Sequence, residues 1–319
     1  DANRPDTNQL LSVVLNDERR PLVNRAAQGA YPAGSVVKLV TYTAGLNSGQ
    51  FSSVTGYNST GTWSRLGENF IKTDWREGGH GVVSLRTAIV VSCNSCFYEV
   101  GYVLDGIDNT FLPQTASAFG FGQPTGIEGI AEATGTVPSP SWKIETIGEG
   151  WVTGDAVNMS IGQGAVQVTP LQIANMFAAI ANGGTLYQPT LIDRIGSGGG
   201  APEEAWPTAV NGQLPLTLEQ IQVLRGSLYD VANNLNIGTA ADKFVGLPVQ
   251  TAGKTGTAED PPRTSHARYG GYAPADNPEI AIAVIAENAG EGSGVAAPIF
   301  RRVVELYYGF TPVQPYPWQ

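Results

Sequence analysis

Ile280-Ala281-Ile282-Ala283-Val284-Ile285-Ala286 is apolar at every position. A half-buried strand alternates apolar and polar residues, because successive side chains point to opposite faces. An unbroken apolar run of this length predicts a strand covered by helices on both faces. Two further strand candidates precede it, at 248–258 and 268–274, and residues 297–308 read as a closing amphipathic helix. The doubly apolar strand calls for paired neighbours along its edges as well as cover on its faces.

Upstream the periodicity becomes helical. Thr169 is placed to cap a helix over 170–182, with Pro170 at its first position and Gln172 completing a capping box. Gly183-Gly184 stop it. Thr217 and Gln220 repeat the device, and Ile221, Leu224, Leu228 and Val231 then recur at helical spacing. Residues 84–104 read as a helical run interrupted by Ser92-Cys93-Asn94-Ser95, side chains that compete for backbone partners and favour caps over helix interiors. Residues 35–49 form another helix, weakened at its end by Gly45 and Gly49. The Gly-, Ser- and Thr-rich stretch 50–80 reads as irregular. A helical middle followed by a late sheet predicts an α+β fold, with helices packed on a mainly antiparallel sheet.

Composition narrows the function. The 319 residues suit one large domain or two intimate subdomains. With 42% apolar and 14% charged residues the chain can bury a large core, unlike a disordered chain. Lys and Arg total 18 against 28 for Asp and Glu, a net charge of -10 with no clustered cations, which excludes a nucleic-acid partner. The apolar stretches fall short of the ~20 residues of a membrane helix.

Several tempting motifs carry no site. The glycine-rich segments 196–202 and 120–126 lack a Walker-type Lys-Ser/Thr and the dinucleotide spacing, respectively. Cys93 and Cys96, with His80 and His266, do not supply the paired spacings of a structural zinc site, so the reading is no metal. Nor does a preceding strand support a thioredoxin-type motif. Two free thiols or a local disulfide remain. Free thiols are the expectation, because Cys93 sits inside a turn that strain would disturb.

Three short motifs occur in order: Ser35-Val36-Val37-Lys38, Ser92-Cys93-Asn94 and Lys254-Thr255-Gly256-Thr257. A serine hydroxyl needs an adjacent base to become a nucleophile. Residues three apart on a helix share a face, so Lys38 can reach Ser35. Burial and a second cation lower a lysine's pKa, and Lys254 opposite would provide that cation. Pro32-Ala33-Gly34 sets Ser35 at a helix N-terminus, where backbone N–H groups face an incoming carbonyl. Ser92 can bridge the lysines and return a proton to a leaving amine. Asn94 offers an amide to a peptide backbone.

This constellation resembles the transpeptidase domain of class B penicillin-binding proteins, closest to the elongation-type enzymes called penicillin-binding protein 2. Further matching stretches are Pro21-Leu22-Val23-Asn24-Arg25-Ala26, Tyr31-Pro32-Ala33-Gly34-Ser35, Phe119-Gly120-Phe121-Gly122 and Pro124-Thr125-Gly126-Ile127. Ile161-Gly162-Gln163-Gly164, Thr169-Pro170-Leu171-Gln172, Ala252-Gly253-Lys254-Thr255-Gly256-Thr257-Ala258-Glu259 and Gly271-Tyr272-Ala273-Pro274 continue them nearly to the end.

The resemblance implies the penicillin-binding/serine β-lactamase-like fold, with an all-helical subdomain over about 50–180 and an α/β subdomain from the remainder. It implies a peptidoglycan DD-transpeptidase whose catalytic residues are Ser35, Lys38, Ser92 and Lys254. Asn94, Thr255, Gly256 and Thr257 would bind stem peptides ending in D-Ala-D-Ala. The backbone N–H groups of Ser35 and Thr257 would form the oxyanion hole. No cofactor is implied. β-Lactam antibiotics and a glycosyltransferase of the cell-wall elongation machinery are the implied partners, at the extracytoplasmic face of the bacterial membrane. It also implies a longer protein, with upstream strands completing a five-stranded sheet, a pedestal domain and a membrane anchor. One departure stands out. His266-Ala267-Arg268-Tyr269 occupies the place where the family often carries a Trp-Phe pair after the histidine, which implies a different cleft wall; His266 itself reads as structural.

Rival readings are a serine β-lactamase or DD-carboxypeptidase, and a β-lactam sensor or non-catalytic cell-wall scaffold. No deacylating Glu-x-x-Leu-Asn segment separates the second and third motifs, and the interval from Ser92 to Lys254 is long for a lactamase. The intact serines and lysines speak against a silent scaffold.

Overall fold

The computed structural model describes residues 7–196 and 204–312. The glycine-rich loop expected at 196–202 lies outside the described residues from position 197 onward. Three long strands, β1 (Ala252–Asp260), β2 (Arg263–Ala273) and β3 (Ile280–Ala286), run antiparallel in that order. β1 and β2 meet at a hairpin in which Asp260 pairs with Arg263. β2 therefore starts at Arg263 and not at the expected 268, since the polar Arg263-Thr264-Ser265 carries no apolar signal. The register sets Lys254 opposite Gly270, Gly256 opposite Arg268 and Tyr269 opposite Val284.

Six helices matter for the site and its support: α1 (Lys38–Asn47), α2 (Leu85–Val90), α3 (Asn94–Ile107), α4 (Pro170–Ala181), α5 (Leu218–Asn233) and α6 (Ala297–Tyr307). Both predicted capping boxes form. Thr169 Oγ1 accepts from the N–H of Gln172 at 3.1 Å, and Gln172 Oε1 accepts from that of Thr169 at 2.9 Å. Thr217 and Gln220 exchange the same pair at 3.2 and 2.8 Å.

Adjacent residues of β2 show how the sheet is covered. A Cβ on Gly270 would fall 2.2 Å from the Phe177 ring of α4, so only glycine admits that ring. The next side chain back, Tyr269, points the other way and packs edge-on against Phe300 of α6, with ring centroids 4.8 Å apart. The apolar run of β3 follows the same division. Ala281 and Ala283 join the core on the α4 side, while Ile280, Ile282 and Val284 join the Phe300 and Val304 cluster. Two alanines meet the bulky α4 side, and two isoleucines and a valine fill the α6 side. The expected two-sided cover is thus present, yet all seven β3 residues are only half-buried. Among the described residues no further strand pairs with the outer edge of β3.

The 50–80 stretch holds more order than its composition announces. Gly56–Ser59 pairs with Gly81–Ser84, and Thr62–Trp63 pairs with Lys72–Thr73. Segments of two to four residues are too short to show an alternation.

Candidate active site

The first motif is shaped by Gly34. Its φ of +59° is a left-handed conformation, and a Cβ there would lie 2.9 Å from the Thr257 carbonyl oxygen. Its N–H donates to Gly162 O at 2.9 Å. Pinned between β1 and that loop, the chain winds through a 3₁₀ turn, Gly34–Val37, before α1 begins at Lys38. The expected α-helical start is therefore a tighter turn. In 3₁₀ geometry residues i and i+3 eclipse, and the Lys38 N–H closes the turn on the Ser35 carbonyl. Val36 and Val37 are buried and anchor the turn, while Ser35 stays half-exposed on the cleft.

The second motif is the corner between α2 and α3. Ser92 and Cys93 close the end of α2 through N–H bonds to Ile89 O and Ala88 O, and Asn94 opens α3. Ser92 takes φ +54°, unusual for any residue but glycine. Lys38 Nζ donates to the Ser92 carbonyl at 2.7 Å, to Ser92 Oγ at 3.2 Å and to Asn94 Oδ1 at 2.6 Å. From the third motif, Lys254 Nζ donates to Ser92 Oγ at 2.8 Å and to Thr255 O at 3.0 Å. Ser35, Ser92, Asn94, Thr255, Gly256 and Thr257 line one cleft of about 630 Å³. Six of the eight residues read as catalytic or substrate-binding thus line a single space, while Lys38 and Lys254 lie buried behind it and meet it through the Ser92 hydroxyl. Arg268 and Tyr269 do not line it: Arg268 is buried with its guanidinium 5.5 Å from the Tyr31 ring, and Tyr269 sits in the α6 core. His266 is nearly buried and accepts from the Asn288 N–H through Nδ1 at 3.0 Å.

Both lysines are fully buried. Burial pushes Lys38 down to about 7, against the opposing pull of the Asp74 carboxylate. Burial, joined by the neighbouring charge of Lys38, holds Lys254 well below its ordinary range. Two ammonium groups meeting at one hydroxyl disfavour each other's charge. A neutral amine is therefore accessible near neutral pH, as a general base requires.

Sequence reading missed Asp74. Its Oδ2 accepts from the N–H and hydroxyl of Ser95 at 2.9 and 3.0 Å, and its Oδ1 lies 3.1 Å from His80 Nε2. Burial would raise its pKa, but these bonds and the charge of Lys38 bring it to about 2. Trp75 was missed too: its Nε1 donates to Ser92 O at 3.1 Å. Thr239 pairs with Thr255 at 2.8 Å. All three come from segments without periodicity, and only the fold brings them near the motifs.

The cysteines overturn the expectation of free thiols. Cys93 and Cys96 form a disulfide, with Cα atoms 5.5 Å apart, inside the range a bridge requires. The unusual backbone conformation falls on Ser92, one residue before the bridge, and Cys93 keeps φ -57°. The first turn of α3 then brings the i and i+3 side chains together. Asp74, His80 and Cys93 set donor atoms within 4.8 Å of one another. A sulfur bonded in a disulfide is not the thiolate that a metal takes, and Asp74 already serves Ser95 and His80.

Comparison with known proteins agrees with this geometry. The family model described as the penicillin binding protein transpeptidase domain matches residues 2–305. The peptidoglycan D,D-transpeptidase MrdA of Haemophilus influenzae is 35% identical over 309 residues, covering 92% of this chain and 47% of that protein. The crystal structure of Pseudomonas aeruginosa PBP2 in complex with WCK 5153 superposes with a TM-score of 0.83 at 31% identity, over 96% of this chain and 66% of that one. A chain from a peptidoglycan synthase complex that coordinates polymerization and crosslinking gives 0.82 at 34% identity, over 98% and 52%. The chain spans about half the length of the curated relatives it matches. With the serine, the two lysines and the Ser92 corner assembled on this α+β frame, the chain belongs to the penicillin-binding protein transpeptidase domain family, in its class B, penicillin-binding protein 2 type.

Proposed function

We propose that this domain is the catalytic part of a peptidoglycan D,D-transpeptidase, acting by a serine acyl-enzyme and acylated by β-lactams. The observation that carries the reading is Ser92 Oγ held by both Lys38 and Lys254 at the floor of the cleft that Ser35 lines. Neutral Lys38 takes the Ser35 proton as Oγ attacks the carbonyl of the penultimate D-Ala. The C–O bond forms, the peptide C–N bond breaks, and Ser92 passes its proton to the departing D-Ala amine while taking the Ser35 proton from Lys38, with Lys254 holding its oxygen. An acceptor amine from a neighbouring strand then displaces Ser35, which recovers its proton. Thr255, Gly256 and Thr257 bind the terminal carboxylate and strand backbone, and Asn94 presents its amide to the stem peptide. The N–H groups of Ser35 and Thr257 stabilise the oxyanion.

On this reading the helical subdomain covers about 50–180, and the α/β subdomain the remainder. The full protein supplies further strands, a pedestal and an anchor at the extracytoplasmic face of the membrane, and it works with a glycosyltransferase of the elongation machinery. The likeness to a chain of a peptidoglycan synthase complex supports that partner.

The test is labelling with a fluorescent penicillin, followed by peptide mapping and a stem-peptide cross-linking assay. The adduct should map to Ser35, vanish in Ser35→Ala and leave the fold unchanged. An adduct on Ser92 overturns the assignment. Labelling on Ser35 without any cross-linked product favours a sensor, and rapid turnover of penicillin favours a lactamase.

A further inference from the structure

We infer that the Cys93–Cys96 disulfide is a positioning clamp for acyl transfer, holding the Ser92–Asn94 corner so that the Ser92 hydroxyl stays between Lys38 and Lys254. This rests on the reaction proposed above. Residues 92–96 accept every side-chain hydrogen bond of Lys38 and the one that Lys254 sends across the cleft floor. Ser92 contributes its carbonyl and hydroxyl, Asn94 its Oδ1, and Ser95 its N–H and hydroxyl to Asp74. Yet the corner is made from elements that fray. It joins the last turn of one helix to the first turn of another, where backbone groups lack intrahelical partners. It also carries Ser92 in a left-handed conformation that persists only where its surroundings impose it.

The disulfide imposes it from the inside. It ties the cap residue Cys93 to Cys96 across the first turn of α3, and Cys93 Sγ also accepts from the Cys96 N–H at 3.1 Å. Both sulfurs are buried. Asn94 and Ser95 lie inside the covalent ring and Ser92 is bonded to its edge. On the opposite side, Cys96 contributes to the wall of a separate cavity of about 240 Å³, with Phe51, Tyr57, Leu85 and Glu99.

Breaking the bond frees the corner, lets water reach the lysines and weakens their desolvation. Lys38 faces Lys254 from β1 and Asp74, backed by His80, from the 72–80 segment. With water admitted, its amine recovers basicity and is protonated at neutral pH, so a smaller fraction can accept the Ser35 proton.

The experiment compares the oxidised domain, the same protein reduced by a water-soluble phosphine, and the variants Cys93→Ser and Cys96→Ala. Reduction with one water gives two thiols and the phosphine oxide. Rates of acylation by a fluorescent penicillin are followed against pH, and Lys38 is titrated in parallel by side-chain NMR of lysine-labelled protein. In the reduced protein and both variants the Lys38 midpoint should move up by about one unit, with acylation at pH 7 slowed about tenfold. Circular dichroism should show a folded domain. Serine is itself a strong N-cap, so Cys93→Ser keeps α3 started and carries the test if the reduced protein melts. A lower melting temperature with an unchanged Lys38 midpoint and pH profile makes the bond merely structural and overturns the clamp. Absence of labelling in the oxidised protein sinks the proposed reaction instead, and the NMR titration still decides the clamp.

Discussion

Lys38 and Lys254, from distant parts of the chain, donate to one oxygen atom, the hydroxyl of Ser92, at 3.2 and 2.8 Å. Both are fully buried, so the pair cannot carry two charges at the cost that exposed lysines would. Burial brings Lys38, ordinarily an acid at pH 7, down to about 7, where it can serve as a base, while Lys254 is held lower by burial and by the Lys38 charge.

Acylation of Ser35 should rise with pH through about 7 and level off above, because only neutral Lys38 accepts a proton and burial sets its pKa there. Lys38→Arg should lose activity by at least about a hundredfold, since guanidinium stays protonated at any usable pH. Rates of β-lactam labelling across the pH range check both. A flat profile, or an active Lys38→Arg, would assign the base elsewhere.

Gly34→Ala should weaken the protein and the reaction together. A left-handed conformation costs a non-glycine residue roughly 1–2 kcal/mol. The added Cβ would also press on the Thr257 carbonyl, a backbone atom of the strand that carries the lysine motif. Urea unfolding should show a loss of at least that size, and acylation should slow as Ser35 and Thr257 are pushed apart. Wild-type stability in this variant would show that the turn adjusts freely.

Asp74 should contribute acid sensitivity. Its folded-state pKa of about 2 lies below the ordinary 3.8, so its contribution is present above about pH 4 and is lost as pH falls towards 2. The shift corresponds to about 2 kcal/mol. Asp74→Asn should be less stable at neutral pH and should show a flatter stability profile across that acid window. Denaturant titrations at pH 6, 4 and 2.5, all about those values, measure the difference. Equal slopes in the two proteins would remove Asp74 from the account.

The penicilloyl adduct on Ser35 should persist for many minutes or longer. Lys38 and Ser92 are committed to one another and to Asn94 and Lys254, and the sequence shows no deacylating glutamate segment between the second and third motifs. Intact-protein mass spectrometry after removal of free drug follows the decay. Complete loss within seconds would contradict the transpeptidase reading.

What the sequence by itself determined was whatever depends on neighbours along the chain. The capping boxes of Thr169 and Thr217, the break at Ser92, the apolar strand 280–286 and the order of the three motifs were all readable. Each rests on hydrogen bonds or side-chain directions that recur at fixed local spacing. Tertiary structure decided the rest. Asp74, Trp75 and Thr239 reach the motifs only through packing, and no spacing within the chain signals a partner that distant. The 3₁₀ start before Lys38 follows from Gly34 being trapped against Thr257 and Gly162, two contacts that exist only once the sheet and its neighbouring loop are in place. The disulfide was legible as an alternative, since an i, i+3 pair can close at the start of a helix. The structure closes it across the first turn of α3, with the left-handed conformation on Ser92 and not on Cys93. That choice belongs to the packed corner between two helices, where the lysines, the indole of Trp75 and the carboxylate of Asp74 converge on a few backbone atoms.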